Sequence, residues 1–404
     1  MSKKDVGIIK LEDGFYAFRF AINIDGKTVT KKKIYDENGQ RLRTKAQAIK
    51  AREQAIIKAH LEEKAKHKII KKTMAEVYDE YRKHGCNDKA FGTLKKQDCL
   101  WNVHIKNKFG KRFIDEISVG EINNYLADLY CNNGLSYAYV EGFLKLFYLI
   151  FGQAYSHDYI DLYAYDKMCK NQSSKIHMPK MNVDDDSGEI ITFTKDQLNI
   201  LDEYFKNTNS YTAYLLGRYC GLRINECYGI KWSNVNFEEG IILIDRQMQY
   251  QDQLIKLVPT KTKNGIRKIY MNDILKNHLK QLYELRQKSA ESLAKVIEQK
   301  QTIIEDLDKK KISSIELVNC LENGVLQTVN SMKYHTRTIK QRFNIDFKFH
   351  YLRHTYGTML AEMNTPEHLL CSQMGHGSIK VTHLYYLAVT KTGADILLQN
   401  LNNL

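Results

Sequence analysis

The residues best equipped for chemistry lie near the C-terminus. Between His350 and Tyr386 the chain reads H-Y-L-R-H-T-Y-G-T and then M-G-H-G-S-I-K-V-T-H-L-Y-Y. A second arginine, Arg223, stands far upstream in C-G-L-R-I-N-E. Two arginines, several histidines and a late tyrosine pair suit phosphodiester chemistry carried out by side chains, without a metal. Such chemistry must neutralise the phosphate as charge develops, deliver a nucleophile in line and protonate the leaving oxygen. Arginine meets the first demand, because its fork of donors stays charged and spans two phosphate oxygens. Arg223 and Arg353 are the candidates. His350 and His376 can donate to the phosphate or move protons near neutral pH. Lys261 or Lys263, in T-K-T-K-N-G, can protonate a leaving 5′-oxygen. A tyrosine, with a pKa of about 10, can attack phosphorus and conserve the bond energy in a phosphotyrosine link.

Each element also has a plainer reading. The arginine in G-L-R-x-x-E can be half of a surface Arg–Glu pair. His350 and His354 have the i, i+4 spacing of a zinc pair, but no Glu follows His350, so the H-E-x-x-H logic fails and no metal is expected. Among 26 tyrosines, residue type singles out none. Order and combination carry the signal.

The chain has 404 residues, enough for two or three domains, with 43% hydrophobic and 27% charged residues. Its formal charge is +14 and its pI about 9.1. That balance favours a polyanion such as nucleic acid over a merely basic surface. The excess is local: residues 27–72 carry 15 Lys and Arg against 5 Asp and Glu. The 8 cysteines form no C-x-x-C, which argues against zinc-ribbon and redox readings and for buried thiols in a reducing compartment. No apolar h-region opens the N-terminus, and the longest apolar run, residues 143–154, is too short to span a membrane. A cytoplasmic protein associated with the nucleoid is expected, without a membrane partner.

The elements that must position these residues follow from periodicity. Residues 7–35 alternate as a small antiparallel sheet, with Asp25-Gly26 as a hairpin turn. Thr44 and Gln47 read as a capping box opening a helix to about residue 71, with Ala48, Ile49, Ile56, Ala59 and Ile69 inward. Lys31, Lys32, Lys33, Arg41 and Arg43 give this segment a basic face that fits a DNA groove. Residues 73–170 read as four helices, with Thr73 as a cap and a Ser118–Glu121 capping box. A polar stretch with Pro179 and Asp184-Asp185-Asp186 reads as a linker. Thr194 and Gln197 open the last domain. A helix over 211–220 ends at Gly221, a C′ glycine. Strands are predicted over 241–248, 253–258 and 266–271, with Asn264-Gly265 as the turn between the last two. Leu293, Val296, Ile303 and Leu307 fall at three-and-four spacing, which predicts a helical insertion over about 285–340. A final amphipathic helix carries Ile396, Leu397 and Leu401.

The ordered set Arg, Lys, His-x-x-Arg, His, Tyr resembles the tyrosine recombinases, or phage integrases, especially those of conjugative transposons and phages of Gram-positive bacteria. The resemblance covers nearly the whole chain. It assigns catalysis to Arg223, Lys261, His350, Arg353, His376 and Tyr386, with Glu226 and His354 in support. Tyr386 stands ten residues beyond His376, as in the phage-type branch; Tyr385 fits the shorter spacing of other branches. Met374 replaces a usual leucine, and Asn364 stands where glycine is common. The 127 positions between Arg223 and His350 exceed the gap of compact members.

The implied fold is mainly α with small β-sheets. Residues 1–70 would form an arm-type DNA-binding domain, 71–175 a helical core-binding (SAM-like) domain, 176–191 a linker, and 192–404 a mixed α+β catalytic domain. The implied function is site-specific integration and excision of a mobile element through a 3′-phosphotyrosine. The implied partners are double-stranded DNA, three further copies in a homotetramer, and an excisionase or host DNA-bending protein. No cofactor is implied. The rival readings are a type IB topoisomerase-like enzyme and a basic DNA-binding regulator without catalysis.

Overall fold

The computed structural model describes residues 7–24, 27–66, 70–171, 174–181, 190–260 and 263–386. The chain forms two compact units, Met1–Asp186 and Ser187–Leu404.

The first unit opens with the alternating segment. Strands β1 (Ile8–Lys10), β2 (Tyr16–Ile24) and β3 (Lys27–Lys33) pair antiparallel in the order β1-β2-β3. Phe20 faces Lys31 and Phe18 faces Lys33 across the ladder. The period of two turns Phe18 and Phe20 inward. Helix α1 (Lys45–Lys66) covers that face. Its start is a reciprocal cap: Thr44 Oγ1 accepts from the Gln47 amide and Gln47 Oε1 accepts from the Thr44 amide. Ala48, Ala51 and Ala55, three and four apart, let the helix approach the sheet closely. Asp25-Gly26 and Ile69 lie outside the described residues.

A separate helical core follows in the same unit. Helix α2 (Met74–His84) starts at a Thr73–Glu76 capping box. Helix α3 (Phe91–Leu100) runs through a π-helical turn, Trp101–Ile105, into α4 (Lys106–Phe109). Helix α5 (Val119–Ala127) starts at a Ser118–Glu121 box, and α6 (Tyr137–Ser156) and α7 (Leu162–Tyr165) complete the set. Trp101, Phe109, Phe143, Phe147 and Phe151 fill the centre. The expected linker is tethered at its start. Ile176 is fully buried in this core, and Tyr148 donates to its carbonyl.

The second unit begins with α8 (Lys195–Lys206), capped by Thr194 and Gln197, then α9 (Tyr211–Cys220) and α10 (Ile224–Gly229). Gly221 ends α9 in the left-handed conformation, φ 61°. Strands β4 (Val235–Asn236), β5 (Ile241–Ile244), β6 (Arg246–Gln251), β7 (Leu254–Pro259) and β8 (Arg267–Tyr270) come next, followed by α11 (Asp273–Ser289) and α12 (Ala294–Lys300). Then come β9 (Ile303–Glu305), β10 (Lys311–Ser313), α13 (Val329–Phe343), α14 (Phe349–Glu362) and α15 (Glu367–Met374). Residues 379–386 form one further helical run. Two sheets result, β4-β5-β8 and β10-β9-β7-β6.

Two expectations from sequence are corrected here. The strand expected over 241–248 breaks at Asp245: β5 pairs with β8, and β6 pairs with β7. The turn at Asn264-Gly265 therefore joins strands of different sheets. The tight hairpin is instead at Asp252-Gln253, both at positive φ, which glycine-based turn rules do not flag. The insertion over 285–340 is not wholly helical. Ile303 and Ile312 lie on β9 and β10, which extend the β6-β7 sheet, because Ile304 and Ile312 close over the domain core. The ion pairs of Asp306 with Lys231 and Arg246 pin this insertion down. The segment with Ile396, Leu397 and Leu401 lies outside the described residues.

Candidate active site

The second unit brings four separated sequence segments to one place. Arg223 is the N-cap residue of α10, immediately after the α9 turn that Gly221 makes. Its Nη1 donates to Glu226 Oε1 at 2.8 Å, and its backbone amide donates to Glu226 Oε2 at 3.1 Å. The Arg223 side chain keeps 42% of its surface exposed, while that of Glu226 keeps 3%. The exposed guanidinium can therefore meet a ligand while its carboxylate partner stays fixed from below.

Arg353 is buried on α14. It donates to the Gly221 carbonyl at 2.7 Å and to the Met374 carbonyl at 2.6 Å. One guanidinium thus ties the arginine turn to the M-G-H turn. His376 follows Gly375, which closes α15 at φ 67°. Its Nδ1 shares a 2.8 Å hydrogen bond with Thr382 Oγ1, and its carbonyl accepts from Asn264 at 3.3 Å. His350 lies one turn before Arg353 on α14, exposed, with its ring centroid 4.6 Å from that of His354. Asn364 is left-handed, φ 55°, which explains why it can replace glycine there.

The electrostatics are those of closely grouped cations. Burial, then the charges of Arg353, Arg223 and Arg267, push His376 down to about 3. His350 is exposed as a residue; partial burial, then the charges of His354, Arg353 and Arg223, push it down to about 4, a shift that solvent around the exposed part weakens. Burial and the Arg223 charge bring Arg353 down to about 10. Burial alone would raise Glu226, but Arg267 and Arg223 hold it below the ordinary carboxylate value. A bound phosphate would reverse the repulsion among these cations.

The two tyrosines face different surroundings. Tyr385 is 4% exposed and packs with Ala361, Leu370 and Met374. A Cβ on Gly357 would meet its ring at 3.0 Å. Tyr386 is half-buried, and its hydroxyl donates to the Thr365 carbonyl. Tyr386 is therefore not brought to the arginines in this state, whereas Tyr385 lies beside His376. Lys261 lies outside the described residues; Lys263 opens the one-turn helix Lys263–Gly265. Lys31, Lys32, Lys33, Arg41 and Arg43 are exposed in the first unit, Arg41 over the Phe15 ring and paired with Asp13. Among the described residues, no three His, Cys, Asp or Glu are grouped to hold a metal ion, and no helix is long and apolar enough to cross a membrane.

Two site residues escape the motif reading. Arg267 is buried on β8 and bonds Glu226. Its signal was alternation: Arg267 and Ile269 face inward while Lys268 and Tyr270 face out. Thr382, fully buried, bonds His376, and spacing alone gave it no role.

Residues 192–392 match the model of the phage integrase family. The chain belongs to that family. A tyrosine recombinase XerC-like protein of Caldanaerobacter subterraneus subsp. tengcongensis is 27% identical over 258 residues, 60% of this chain and 62% of that protein. The match thus spans about three-fifths of that relative's length. The transposase from transposon Tn916 of Enterococcus faecalis is 24% identical over 312 residues, 75% of this chain and 71% of that one. Among solved structures, the Tn1549 transposon integrase in complex with a circular intermediate DNA superposes with a TM-score of 0.63 at 20% identity, covering 81% of this chain and 99% of that one. A lambda integrase tetramer bound to a Holliday junction gives 0.52 at 15% identity, covering 95% and 96%. These likenesses are of fold.

Proposed function

We propose that this chain is a site-specific DNA recombinase that integrates and excises a mobile element by cleaving and rejoining DNA through a 3′-phosphotyrosine. The observation that carries this reading is the convergence of Arg223, Arg353 and His376, with Arg353 bonded at once to Gly221 and Met374. Arg223, Arg353, His350 and His376 bind the scissile phosphate and offset its developing charge. The Tyr386 hydroxyl passes its proton to a neutral histidine of the site, His350 or His376, as its oxygen attacks phosphorus; the bond to the 5′-oxygen breaks, and Lys261 supplies the proton that leaves a free 5′-hydroxyl. Rejoining reverses these steps with a 5′-hydroxyl from the partner strand, so no external energy source enters. Tyr386 is favoured as nucleophile by its spacing from His376; Tyr385, which lies beside His376 and within the influence of the Arg353 and Arg223 charges, is the alternative.

Residues 1–70 act as the arm-binding domain, using Lys31, Lys32, Lys33, Arg41 and Arg43; residues 71–175 bind the core site, and 192–404 carry catalysis. Four copies act on two duplexes, with an excisionase or host DNA-bending protein setting direction. The complexes formed by the structural neighbours support DNA and a tetramer as partners: a circular intermediate DNA for one, a Holliday junction for the other.

The test uses a nicked suicide duplex carrying a sequence that the chain selects from a random pool. A covalent adduct on a denaturing gel, lost in Tyr386→Phe, supports the proposal. Tight binding by wild type without any adduct favours the regulator reading instead.

A further inference from the structure

Glu226 presents a problem of charge. Its Oε1 lies 2.8 Å from Arg223 Nη1. A carboxylate so close cancels much of the positive charge that a phosphate-binding arginine must offer. The structure contains the answer on the far side of Glu226. Arg267 Nη2 lies 2.9 Å from Glu226 Oε2, and Nη1 lies 3.3 Å from Oε1. Arg267 is buried, and its Nε, Nη1 and Nη2 all donate to groups of the protein itself, so its fork is committed to Glu226 and the neighbouring turns.

We propose that Arg267 is a positioning residue that balances the Glu226 carboxylate, leaving Arg223 its charge for the scissile phosphate. The inference rests on the reading of Arg223 as a phosphate ligand. Counted as formal charges, Glu226 and Arg267 cancel, and Arg223 and Arg353 remain to face the ligand. Without Arg267, Glu226 cancels Arg223, and one guanidinium remains.

The fork geometry gives Arg267 a second task. Its Nε donates to the Gln373 carbonyl at 3.0 Å and its Nη1 to the Gly265 carbonyl at 3.0 Å. These bonds join the end of α15, the turn before β8 and the carboxylate beneath Arg223. A Cβ on Gly375 would meet Arg267 Nη1 at 2.8 Å, so the turn leading into His376 rests on this guanidinium. Lysine, with one ammonium, would match the charge but not the fork.

Charge balance and simple stapling make opposite forecasts for a double variant. Arg267→Met leaves Glu226 free to neutralise Arg223. Adding Glu226→Gln removes that carboxylate. Two readouts apply, both on a duplex selected by the wild-type chain from a random-sequence pool. The first is the slope of log binding constant against log salt, which shrinks by about 0.9 for each phosphate that the protein no longer neutralises. Arg267→Met becomes shallower by about that amount, for one phosphate, and Glu226→Gln/Arg267→Met returns to the wild-type slope. The second is adduct formation on the nicked duplex. The single variant loses on the order of 100-fold, as for removal of a preorganised charge-stabilising donor, and the double variant recovers at least about 10-fold of it.

A double variant no better than Arg267→Met in both readouts overturns the proposal and leaves a structural staple. If Arg267→Met does not fold, by circular dichroism, Glu226→Gln alone decides. Charge balance keeps its salt slope at or above wild type, and a shallower slope overturns the proposal. The slope is read whether or not the chain cleaves DNA. Failure of the recombinase reading appears separately, as wild type that binds but forms no adduct.

Discussion

The rings of Tyr385 and His376 lie parallel, with centroids 5.9 Å apart and 1° between their planes. Tyr385 thereby lies alongside the histidine while its ring edge also meets Gly357, and it packs with Met374. Burial raises the Tyr385 phenol, against the lowering charges of Arg353 and Arg223. A packing residue and a nucleophile respond differently to mutation. Tyr385→Phe keeps the ring and should retain adduct formation within a few-fold, while Tyr386→Phe abolishes it. Tyr385→Ala opens a cavity and should cost about 3 kcal/mol in urea denaturation. The reverse pattern on the gel, with Tyr385→Phe inactive, would assign the attack to Tyr385.

Thr382 couples the helical run that carries both tyrosines to His376. Its 2.8 Å bond to Nδ1 fixes the imidazole's rotation and leaves Nε2 available to a ligand. Thr382→Val keeps the shape and strands a buried ring nitrogen, a loss of roughly 1–3 kcal/mol. If that loss falls on the transition state, cleavage slows about 10- to 100-fold. Thr382→Ser keeps the hydroxyl and should cleave near the wild-type rate. Single-turnover rates on the nicked duplex separate the two variants, and equal rates would deny the bond a role.

Much of this site was legible because its parts are local. The turn at Gly221, the capping box at Thr194 and the i, i+3 pair of His350 and Arg353 are set by residues close in sequence. Arg267 and Thr382 were not legible, since their roles depend on a partner 41 residues away for Arg267 and on a side-chain bond that spacing does not encode for Thr382. The strands failed for a related reason. Periodicity marks a strand but not its partner, so residues 241–248 gave no hint that Asp245 divides them between two sheets. The insertion misled because Ile303 and Leu307 continue a helical spacing by coincidence. Their neighbours Ile304 and Asp306 are the buried residues, one in the core and one in an ion pair.

The depressed histidines predict acid sensitivity. As pH falls below the ordinary histidine value of 6.5, the unfolded chain takes up a proton first, because folded His376 resists protonation to about 3. The unfolded state then binds more protons, so stability falls with falling pH. The contribution is complete above about pH 6.5 and is lost progressively between 6.5 and 3, at a limit of about 1.4 kcal/mol per pH unit for one proton. His350 adds less, because its exposed ring is screened by solvent. Urea midpoints at pH 7.5 and pH 5.0 should differ in wild type and differ less in His376→Asn, in which the lowered His278, His335, His350 and His354 remain. A midpoint in wild type that does not move over this range would contradict the depressed value.

The basic strand makes a prediction independent of catalysis. Lys31, Lys32 and Lys33 are exposed on β3, with Lys32 and its partner Arg19 on the outer face of the sheet and Lys31 and Lys33 on the face of their partners Phe20 and Phe18. Phosphate contacts give affinity and salt dependence without sequence preference. Replacing all three lysines with alanine should reduce the salt slope for duplex binding by about 0.9 for each lysine that touches a phosphate. The fold should hold, because no buried group is altered. Adduct formation on a short duplex bearing only the core sequence should be unchanged, while binding to a longer duplex with a second, arm-type site weakens. An unchanged salt slope on the longer duplex would remove β3 from the DNA interface.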